Sequence, residues 1–176
     1  QIFTGRGCPF LCSFCSWPEN LMGRRLRFRS VENIILEFQY VVENISFVKE
    51  IFIEDDTFTL QKERVRNFCA ALIDRKITIS WSCNARADLD IDTLTLMKKA
   101  GCRLVIVGYE SGSDGILKSI KKGITIEQAK KFTRDAKNAG LLVHGDFIIG
   151  LPGETDATAQ ATLDYILEIK PDIIQV

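Results

Sequence analysis

Short apolar runs alternate with amphipathic stretches along the whole chain. Each run is rich in β-branched residues and nearly unbroken, which is typical of parallel strands covered on both faces. Five such runs occupy residues 51–53, 77–83, 103–109, 141–150 and 172–176. Together with a short opening strand at residues 2–4, they predict six strands.

The stretches between the runs have the spacing of helices with one apolar face. From residue 34 to 45, apolar residues recur at helical intervals, and Ser30 precedes them as a predicted N-cap. Thr125 followed by Gln128 has the pattern of a capping box, in which each residue satisfies a free backbone N–H. Five helices are predicted in this way.

Two segments repeat the same order of elements. "KKAGCRLV" (98–105) and "KNAGLLV" (137–143) each contain a helix end, a C′ glycine and the start of a strand. Repetition of strand, helix and strand predicts right-handed βαβ units and a parallel sheet. Both a doubly wound sheet and a partial barrel satisfy this pattern.

Polar residues after nearly every predicted strand favour the barrel. A doubly wound sheet binds its ligand at one switch point, whereas a barrel builds its site from many strand ends. The candidates are Glu54, Asp55 and Asp56; Asn84 and Arg86; Glu110 and Ser111; and residues 150–154. The predicted fold is therefore α/β, a partial (β/α)6 TIM-like barrel with parallel strands and outer helices.

The length and the charge balance of the chain exclude some classes of function. The 176 residues are expected to form one domain, 1–176, of a longer protein, because the chain begins without Met and stops inside a predicted strand. The 23 basic and 23 acidic residues balance, so binding to nucleic acid is not expected. The arginines of "GRRLRFR" are interpreted as a solvated face rather than an anion site. No transmembrane run or signal peptide is present, and a cytoplasmic location is expected.

Three of the six cysteines lie within eight positions, in "GRGCPFLCSFCSWPE" (5–19). Cys8, Cys12 and Cys15 have the spacing C-x3-C-x2-C in the loop after the first predicted strand. Three thiolates can hold an iron–sulfur cluster and leave one iron open, and an open metal position is typical of a site that acts on a ligand. A zinc site would need a fourth ligand, and the single histidine, His144, is distant in sequence. A disulfide framework is disfavoured by the tight spacing and the expected reducing compartment.

The remaining cysteines and His144 have less specific interpretations. Cys69 lies on the apolar stripe of a predicted helix and is assigned to the core. Cys83 and Cys102 are either ligands of an auxiliary cluster or small core residues, and isolated strand cysteines are more often the latter. His144 shares strand parity with Asp146, so it either faces the substrate or is a structural histidine.

"RGCPFLCSFC" resembles the signature of the radical S-adenosylmethionine (SAM) superfamily, and the resemblance extends over the whole chain. It implies a 4Fe–4S cluster held by Cys8, Cys12 and Cys15, with SAM chelating the fourth iron. Reductive cleavage of SAM would give a 5′-deoxyadenosyl radical that abstracts hydrogen from a substrate. The resemblance also implies a partial (β/α)6 barrel, in agreement with the strand count, and places Phe14 beside the adenine.

The resemblance further assigns the strand ends to SAM. "IEDDTF" occupies the place of the family's segment for the methionyl amino group, which makes Glu54, Asp55 and Asp56 candidates by position and acidity. In "SCNARAD", Asn84 and Arg86 are candidates, and a guanidinium suits the SAM carboxylate through bidentate bonding.

Two later segments complete the implied SAM site. "VGYESGS" is similar to the ribose-binding segment, with Glu110 accepting from the sugar hydroxyls and Ser111 beside it. "GDFIIGLPGET" resembles the motif whose backbone, here around Ile148 and Gly150, flanks the adenine.

The combination of "CSFCSWPE", "EDDTFT" and "YESGS" looks like the cobalamin-dependent branch, which includes methyltransferases and the anaerobic magnesium-protoporphyrin ester cyclase type. This implies cobalamin bound through a domain outside the chain, a small-molecule or lipid-like substrate, and an electron donor such as flavodoxin or ferredoxin. Methyl transfer or oxidative cyclisation is the expected reaction. The alternative is a non-catalytic barrel with a structural zinc or iron–sulfur site, which would not need the polar strand ends.

Overall fold

A short antiparallel ribbon brackets the cysteine segment. Strand β1 (Gly5–Arg6) pairs with β2 (Arg27–Phe28), and helix α1 (Trp17–Asn20) lies between them in the chain. The computed structural model describes residues 1–21 and 23–176. The ribbon joins the chain before the three cysteines to the chain after them. Cys8, Cys12 and Cys15 therefore lie on one closed loop between β1 and β2, which we call the cysteine loop.

The main sheet has five parallel strands in chain order. They are β3 (Glu50–Ile53), β4 (Ser80–Ala85), β5 (Cys102–Glu110), β6 (Leu142–Phe147) and β7 (Ile173–Gln175). Each matches one of the five apolar runs, so the predicted parallel βα architecture is confirmed. Parallel order requires a crossover after every strand, which brings all the strand ends to one edge.

The predicted opening strand is only a single bridge, in which Ile2 pairs with Ile53. Ile2 N–H donates to Phe52 O over 2.9 Å, and Ile2 O accepts from Glu54 N–H over 2.8 Å. Beyond this point the N–H groups of Thr4 and Gly5 donate to the Asp55 carboxylate instead, over 2.6 and 2.9 Å. A side chain has therefore replaced the strand partner, and the expected sixth strand does not continue.

Seven α-helices occur in the described residues, two more than predicted. The five expected ones are α2 (Val31–Asn44), α3 (Lys62–Asp74), α4 (Ile91–Lys99), α6 (Ile126–Asn138) and α7 (Asp156–Ile169); α1 and α5 (Asp114–Ser119) are the short additions. The predicted caps are present, since Ser30 Oγ accepts from Asn33 N–H and Thr125 with Gln128 forms a capping box. Helices of four and six residues carry too little periodicity for sequence analysis to detect.

Aromatic residues fill the space between the sheet and the first helices. Phe38, Phe58, Phe68 and Trp81 meet edge to face, with ring centroids 5.3 to 5.7 Å apart. Trp81 Nε1–H donates to Ala100 O over 2.8 Å, so the indole is buried without losing its hydrogen bond. This cluster fixes α2 and α3 against β4.

The other three cysteines lie in the core, as the sequence predicts. Cys69, Cys83 and Cys102 are each at most 1% exposed. Burial raises the pKa of the Cys69 and Cys83 thiols, the latter with a contribution from Cys102. Thiols buried in apolar surroundings are inert, so these three residues act as small apolar side chains. Among the described residues, no helix is long and apolar enough to cross a membrane.

Candidate active site

Strand ends and the cysteine segment enclose one cavity of about 430 Å³. Its lining combines two thiols with three carboxylates and two amides. The lining residues are Cys8, Cys15, Trp17, Pro18, Phe52, Glu54, Asp56, Asn84, Asp146 and Gln175. A larger groove of about 550 Å³ runs beside β1 and β2, but its lining contains no cysteine. The smaller cavity is therefore where the chemically reactive side chains converge.

The cysteine loop is held by backbone contacts at three points. Cys8 N–H donates to Gly23 O over 3.3 Å, Ser13 N–H to Ile120 O over 2.9 Å, and Cys15 N–H to Cys12 O over 3.2 Å. All three cysteines are free and partly buried. Backbone hydrogen bonds therefore hold the loop in place, and none of its cysteines is in a disulfide.

Gly7 sets the entry to this loop. Its φ is +94°, and a Cβ there would lie 2.3 Å from the carbonyl oxygen of Arg25, so no other residue fits. Its N–H donates to Asp56 Oδ2 over 2.9 Å. Burial raises the pKa of the Cys8 thiol, and Asp56 adds to the increase. The first cysteine is thus fixed directly beside a carboxylate of the cavity.

No three His, Cys, Asp or Glu side chains within residues 1–21 and 23–176 converge closely enough to hold a single metal ion. In an iron–sulfur cluster each cysteine binds its own iron, so the thiols need not meet at one point. Three thiols spaced along one loop fit that chemistry.

Three buried carboxylate oxygens of the cavity have no hydrogen-bond partner in the described part of the chain. They are Glu54 Oε2, Asp56 Oδ1 and Asp146 Oδ1. His144 Nε2 lies 3.3 Å from Asp146 Oδ1, close enough for an ion pair but without hydrogen-bond geometry. Burial raises the pKa of Asp56 and of Asp146. Unsatisfied carboxylates in an enclosed space favour a ligand with cationic or hydrogen-bond donor groups.

Asp55 and Ser111 do not reach this cavity. Asp55 is 2% exposed, and both its oxygens accept from Thr4, with Gly5 N–H as a further donor. Ser111 is fully buried, and its Oγ accepts from Ser113 N–H over 3.2 Å. Asn84 lines the cavity and donates from Nδ2 to Asp55 O over 3.0 Å.

Arg86 contacts the cysteine loop and does not line the cavity. Its guanidinium carbon is 3.6 Å from the centroid of the Phe10 ring. Nη2 donates to Lys122 O over 2.8 Å and to Gly123 O over 3.5 Å. The guanidinium therefore joins the loop to the turn between α5 and α6.

Glu110 ends β5 in an unusual conformation. Its φ is +67°, and the pairing of β5 with β6 shifts register between Gly108 and Glu110. Glu110 Oε1 lies 2.6 Å from Lys122 Nζ, and Glu110 O accepts from Ile148 N–H over 2.9 Å. Gly150, with φ +96°, follows β6 in the chain and donates its N–H to Glu154.

Phe14 and the strand ends are linked through Lys122. The ammonium nitrogen of Lys122 is 5.9 Å from the Phe14 ring centroid. Sequence analysis did not single out Lys122, which lies in "KKG" with no periodic signal, nor Trp17, Phe52 and Gln175 of the lining. Asp146 was noted only because it lies two residues after His144 and so faces the same side of the predicted strand. That alternation was the only feature of the sequence that could have indicated its position at the cavity.

Comparison with known proteins identifies the family. A family model described as the radical SAM superfamily matches residues 2–166. An uncharacterised methyltransferase of Pyrococcus horikoshii is 37% identical over 99% of this chain and 38% of its own length. The anaerobic magnesium-protoporphyrin IX monomethyl ester cyclase of Rubrivivax gelatinosus is 33% identical over 96% of this chain and 30% of its own.

A solved structure has the same fold. The radical SAM methyltransferase TsrM from Kitasatospora setae, with cobalamin and a 4Fe–4S cluster bound, superposes with a TM-score of 0.89 at 21% identity. The superposition covers 98% of this chain and 35% of TsrM. Structural neighbours of this kind are TIM-type barrels, so the predicted fold class is confirmed. The chain spans less than two fifths of the length of each of the two relatives named above. It belongs to the radical SAM superfamily.

Proposed function

We propose that this chain is the core of a radical SAM enzyme, with Cys8, Cys12 and Cys15 as ligands of a 4Fe–4S cluster and the cavity beside them as the SAM site. The observation that carries the proposal is the cavity itself, which Cys8 and Cys15 line together with Glu54, Asp56 and Asp146. When bound, the reduced cluster would supply one electron for cleavage of the sulfur–C5′ bond of SAM, which would give methionine and a 5′-deoxyadenosyl radical. The chain supplies orientation and excludes competing reactions.

The side chains of the cysteine loop and the cavity suit both an iron–sulfur cluster and SAM. Three thiols on one loop suit a cluster with one iron left open. SAM carries an ammonium and a sulfonium, and the unpartnered oxygens of Glu54 and Asp56 offer the negative charge that these groups require. Asn84, which also lines the cavity, adds an amide that already donates to Asp55 O.

Further contacts are proposed outside this cavity. Glu110 is positioned to accept from the ribose hydroxyls, Phe14 to lie along the adenine, and the backbone of Ile148 and Gly150 to flank it. The hydrogen bond from Ile148 N–H to Glu110 O supports this grouping, because it joins the proposed ribose and adenine segments.

Asp55, Ser111 and Arg86 are proposed to position the site rather than to contact SAM. The oxygens of Asp55 are bonded to Thr4 and Gly5, and Ser111 is fully buried. The Arg86 guanidinium is engaged by Lys122 O and Phe10, so a role in binding the SAM carboxylate has no support in the contacts.

The reaction is proposed to be a cobalamin-dependent methyl transfer or an oxidative cyclisation. The relatives named above are an uncharacterised methyltransferase and an ester cyclase, and the TsrM structure has cobalamin bound. Cobalamin would be bound by a domain outside this chain. The substrate would be a small or lipid-like molecule, and a flavodoxin or ferredoxin would supply the electron.

Anaerobic reconstitution tests the core of this proposal. The protein is loaded with iron and sulfide, reduced with dithionite and mixed with SAM, and 5′-deoxyadenosine is measured. We expect close to four irons per chain and release of 5′-deoxyadenosine. A colourless protein that binds zinc stoichiometrically would instead indicate a structural metal site in a non-catalytic barrel.

Cysteine variants separate cluster ligands from core thiols. Cys12→Ala removes a proposed ligand and is expected to lose most of the iron. Cys69→Ala is the matched control, because it removes an equally small thiol from a fully buried position and should keep the iron. Full iron retention in Cys12→Ala would show that the ligand assignment is wrong.

A further inference from the structure

Leu11 is an exposed hydrophobic side chain on the cysteine loop, directly before Cys12. It is 58% exposed, whereas Phe10 and Cys12 on either side of it are half-buried. The Phe10 ring stacks on the Arg86 guanidinium, and Cys12 Sγ lies 3.8 Å from Lys121 O. A single exposed leucine is ordinary on a protein surface. This one lies beside a proposed ligand of the cluster, so its surroundings bear on how the cluster is reached.

Basic side chains come close to the same loop from two other segments. Arg24 Nη1 donates to Phe10 O over 2.6 Å, which sets an exposed guanidinium against the loop. The end of α5 meets the loop as well, because Ile120 O accepts from the loop backbone over 2.9 Å. Lys118, in the last turn of α5, and Lys121, just after it, are both exposed. The exposed leucine therefore has cationic side chains around it.

Positive charge is concentrated in these segments, although the chain as a whole is neutral. Residues 5–29 and 117–123 contain eight basic residues and one acidic residue, whereas the whole chain has 23 of each. Two of the eight are paired with carboxylates, Arg29 with Glu37 and Lys122 with Glu110. A localised excess of one charge attracts a partner of the opposite charge and speeds its association.

We propose that the surface formed by Leu11, Arg24, Lys118 and Lys121, which we call the carrier surface, is the docking site of a small acidic electron-carrier protein. An apolar contact surrounded by charged side chains is the usual anatomy of a protein interface. Complexes between redox proteins are weak and bury little area, so a surface built around one loop is large enough.

The proposal rests on the proposed function, because it assumes that the cysteine loop holds a cluster that needs an electron. The step it serves is the transfer of one electron and of no atom. The flavin hydroquinone of the carrier is oxidised to the semiquinone, and the bound cluster is reduced by that electron. Docking beside Cys12 would bring the carrier to the loop that holds the cluster.

Binding of a purified bacterial flavodoxin to the reconstituted, unreduced full-length protein tests this inference by calorimetry. The double variant Lys118→Glu/Lys121→Glu is expected to weaken binding at least about tenfold at low salt. The difference should shrink at high salt, because exposed charges are screened. Lys98→Glu/Lys99→Glu is the matched control, since it makes the same charge change at the end of α4, on the opposite edge of the sheet. That control should change the affinity by less than about twofold.

Two reductants separate docking from assembly of the cluster. Dithionite is a small molecule that needs no docking surface, so Lys118→Glu/Lys121→Glu should keep its iron and its release of 5′-deoxyadenosine with excess dithionite. With reduced flavodoxin as the donor, the same variant should release 5′-deoxyadenosine at least about tenfold more slowly. Leu11→Ser should also weaken flavodoxin binding while the iron content stays unchanged.

Several results would overturn the carrier surface. They are wild-type flavodoxin affinity in Lys118→Glu/Lys121→Glu, an equal loss in Lys98→Glu/Lys99→Glu, a parallel loss with both reductants, and no flavodoxin binding by the wild-type protein. Failure of the wild-type protein to bind a cluster or to cleave SAM with dithionite would instead contradict the proposed function. Calorimetry requires no SAM cleavage, so the two failures are distinguishable.

Discussion

Two hydrogen bonds join Thr4 to Asp55, one from the Thr4 backbone N–H to Oδ1 over 2.6 Å and one from its hydroxyl to Oδ2 over 2.5 Å. Gly5 N–H donates to Oδ1 as well, over 2.9 Å. Asp55 follows β3, and Thr4 leads into the cysteine segment. This carboxylate therefore fixes the point at which the cysteine loop leaves the sheet.

Asp55→Ala is expected to destabilise the protein by about 2–4 kcal/mol, because it leaves two buried N–H groups and a hydroxyl without their acceptor. Urea denaturation of the metal-free, reduced protein measures this change. Asp74→Ala, at the exposed end of α3, is the control and should change stability by about 0.5 kcal/mol or less. Equal stability of the two variants would show that Asp55 does not anchor the loop.

Gly108→Ala is expected to disrupt the Glu110–Lys122 pair, since the new Cβ would lie within 3 Å of both charged groups. SAM affinity of the reconstituted protein should fall at least about tenfold, as expected for displaced binding groups. Gly115→Ala is the matched control, because its Cβ would meet only Ser113 Oγ, at 3.6 Å. That control lies in α5 and should stabilise the helix by about 0.5–1 kcal/mol. Unchanged SAM binding in Gly108→Ala would show that the arrangement of Glu110 and Lys122 is not needed for SAM binding.

Cys102→Ala should leave the iron content of the reconstituted protein unchanged, because Cys102 is buried in the core with Cys69 and Cys83. The loss of packing is expected to reduce the free energy of unfolding by about 1 kcal/mol. Iron analysis together with urea denaturation checks both parts. A fall in iron content would instead favour the auxiliary-cluster interpretation of Cys83 and Cys102.

Asp146→Asn is expected to stabilise the metal-free protein at pH 7. Burial raises the pKa of Asp146 and Glu110 adds to the increase, while His144 and Lys122 oppose it. Between the ordinary carboxyl pKa and this raised pKa, the folded state holds a proton that the unfolded state has released, so stability falls as the pH rises through that window.

The gain from Asp146→Asn should be about 0.5–1 kcal/mol at neutral pH, a range reduced because the side chain is about one-third exposed. It should disappear below the ordinary carboxyl pKa, where both states are protonated. Urea denaturation at pH 7 and at about pH 3.5 measures it. A loss of stability at pH 7, or the same gain at both pH values, would show that the Asp146 carboxylate is not destabilised by burial.

The sequence predicted the elements whose cause is local. Apolar runs gave the five parallel strands, and the capping pairs Ser30–Asn33 and Thr125–Gln128 lie within three residues of each other, so short-range patterns were enough. The cysteine spacing pointed to a cluster without any tertiary information. The sequence also predicted that the acidic residues 54–56 lie at the site, because the carboxyl ends of parallel strands meet at one edge of the sheet.

Only the tertiary structure decided what each polar side chain does there. Asp55 and Asp56 are neighbours in sequence, yet one bonds to Thr4 and Gly5 while the other lines the cavity. The Arg86 guanidinium stacks on Phe10 of the cysteine loop, and Lys122 pairs with Glu110 from a turn twelve residues further along the chain. These outcomes depend on which buried groups need partners after the sheet has formed. Burial and hydrogen-bond partners depend on contacts between segments that are distant in sequence. Residue spacing alone therefore cannot predict them.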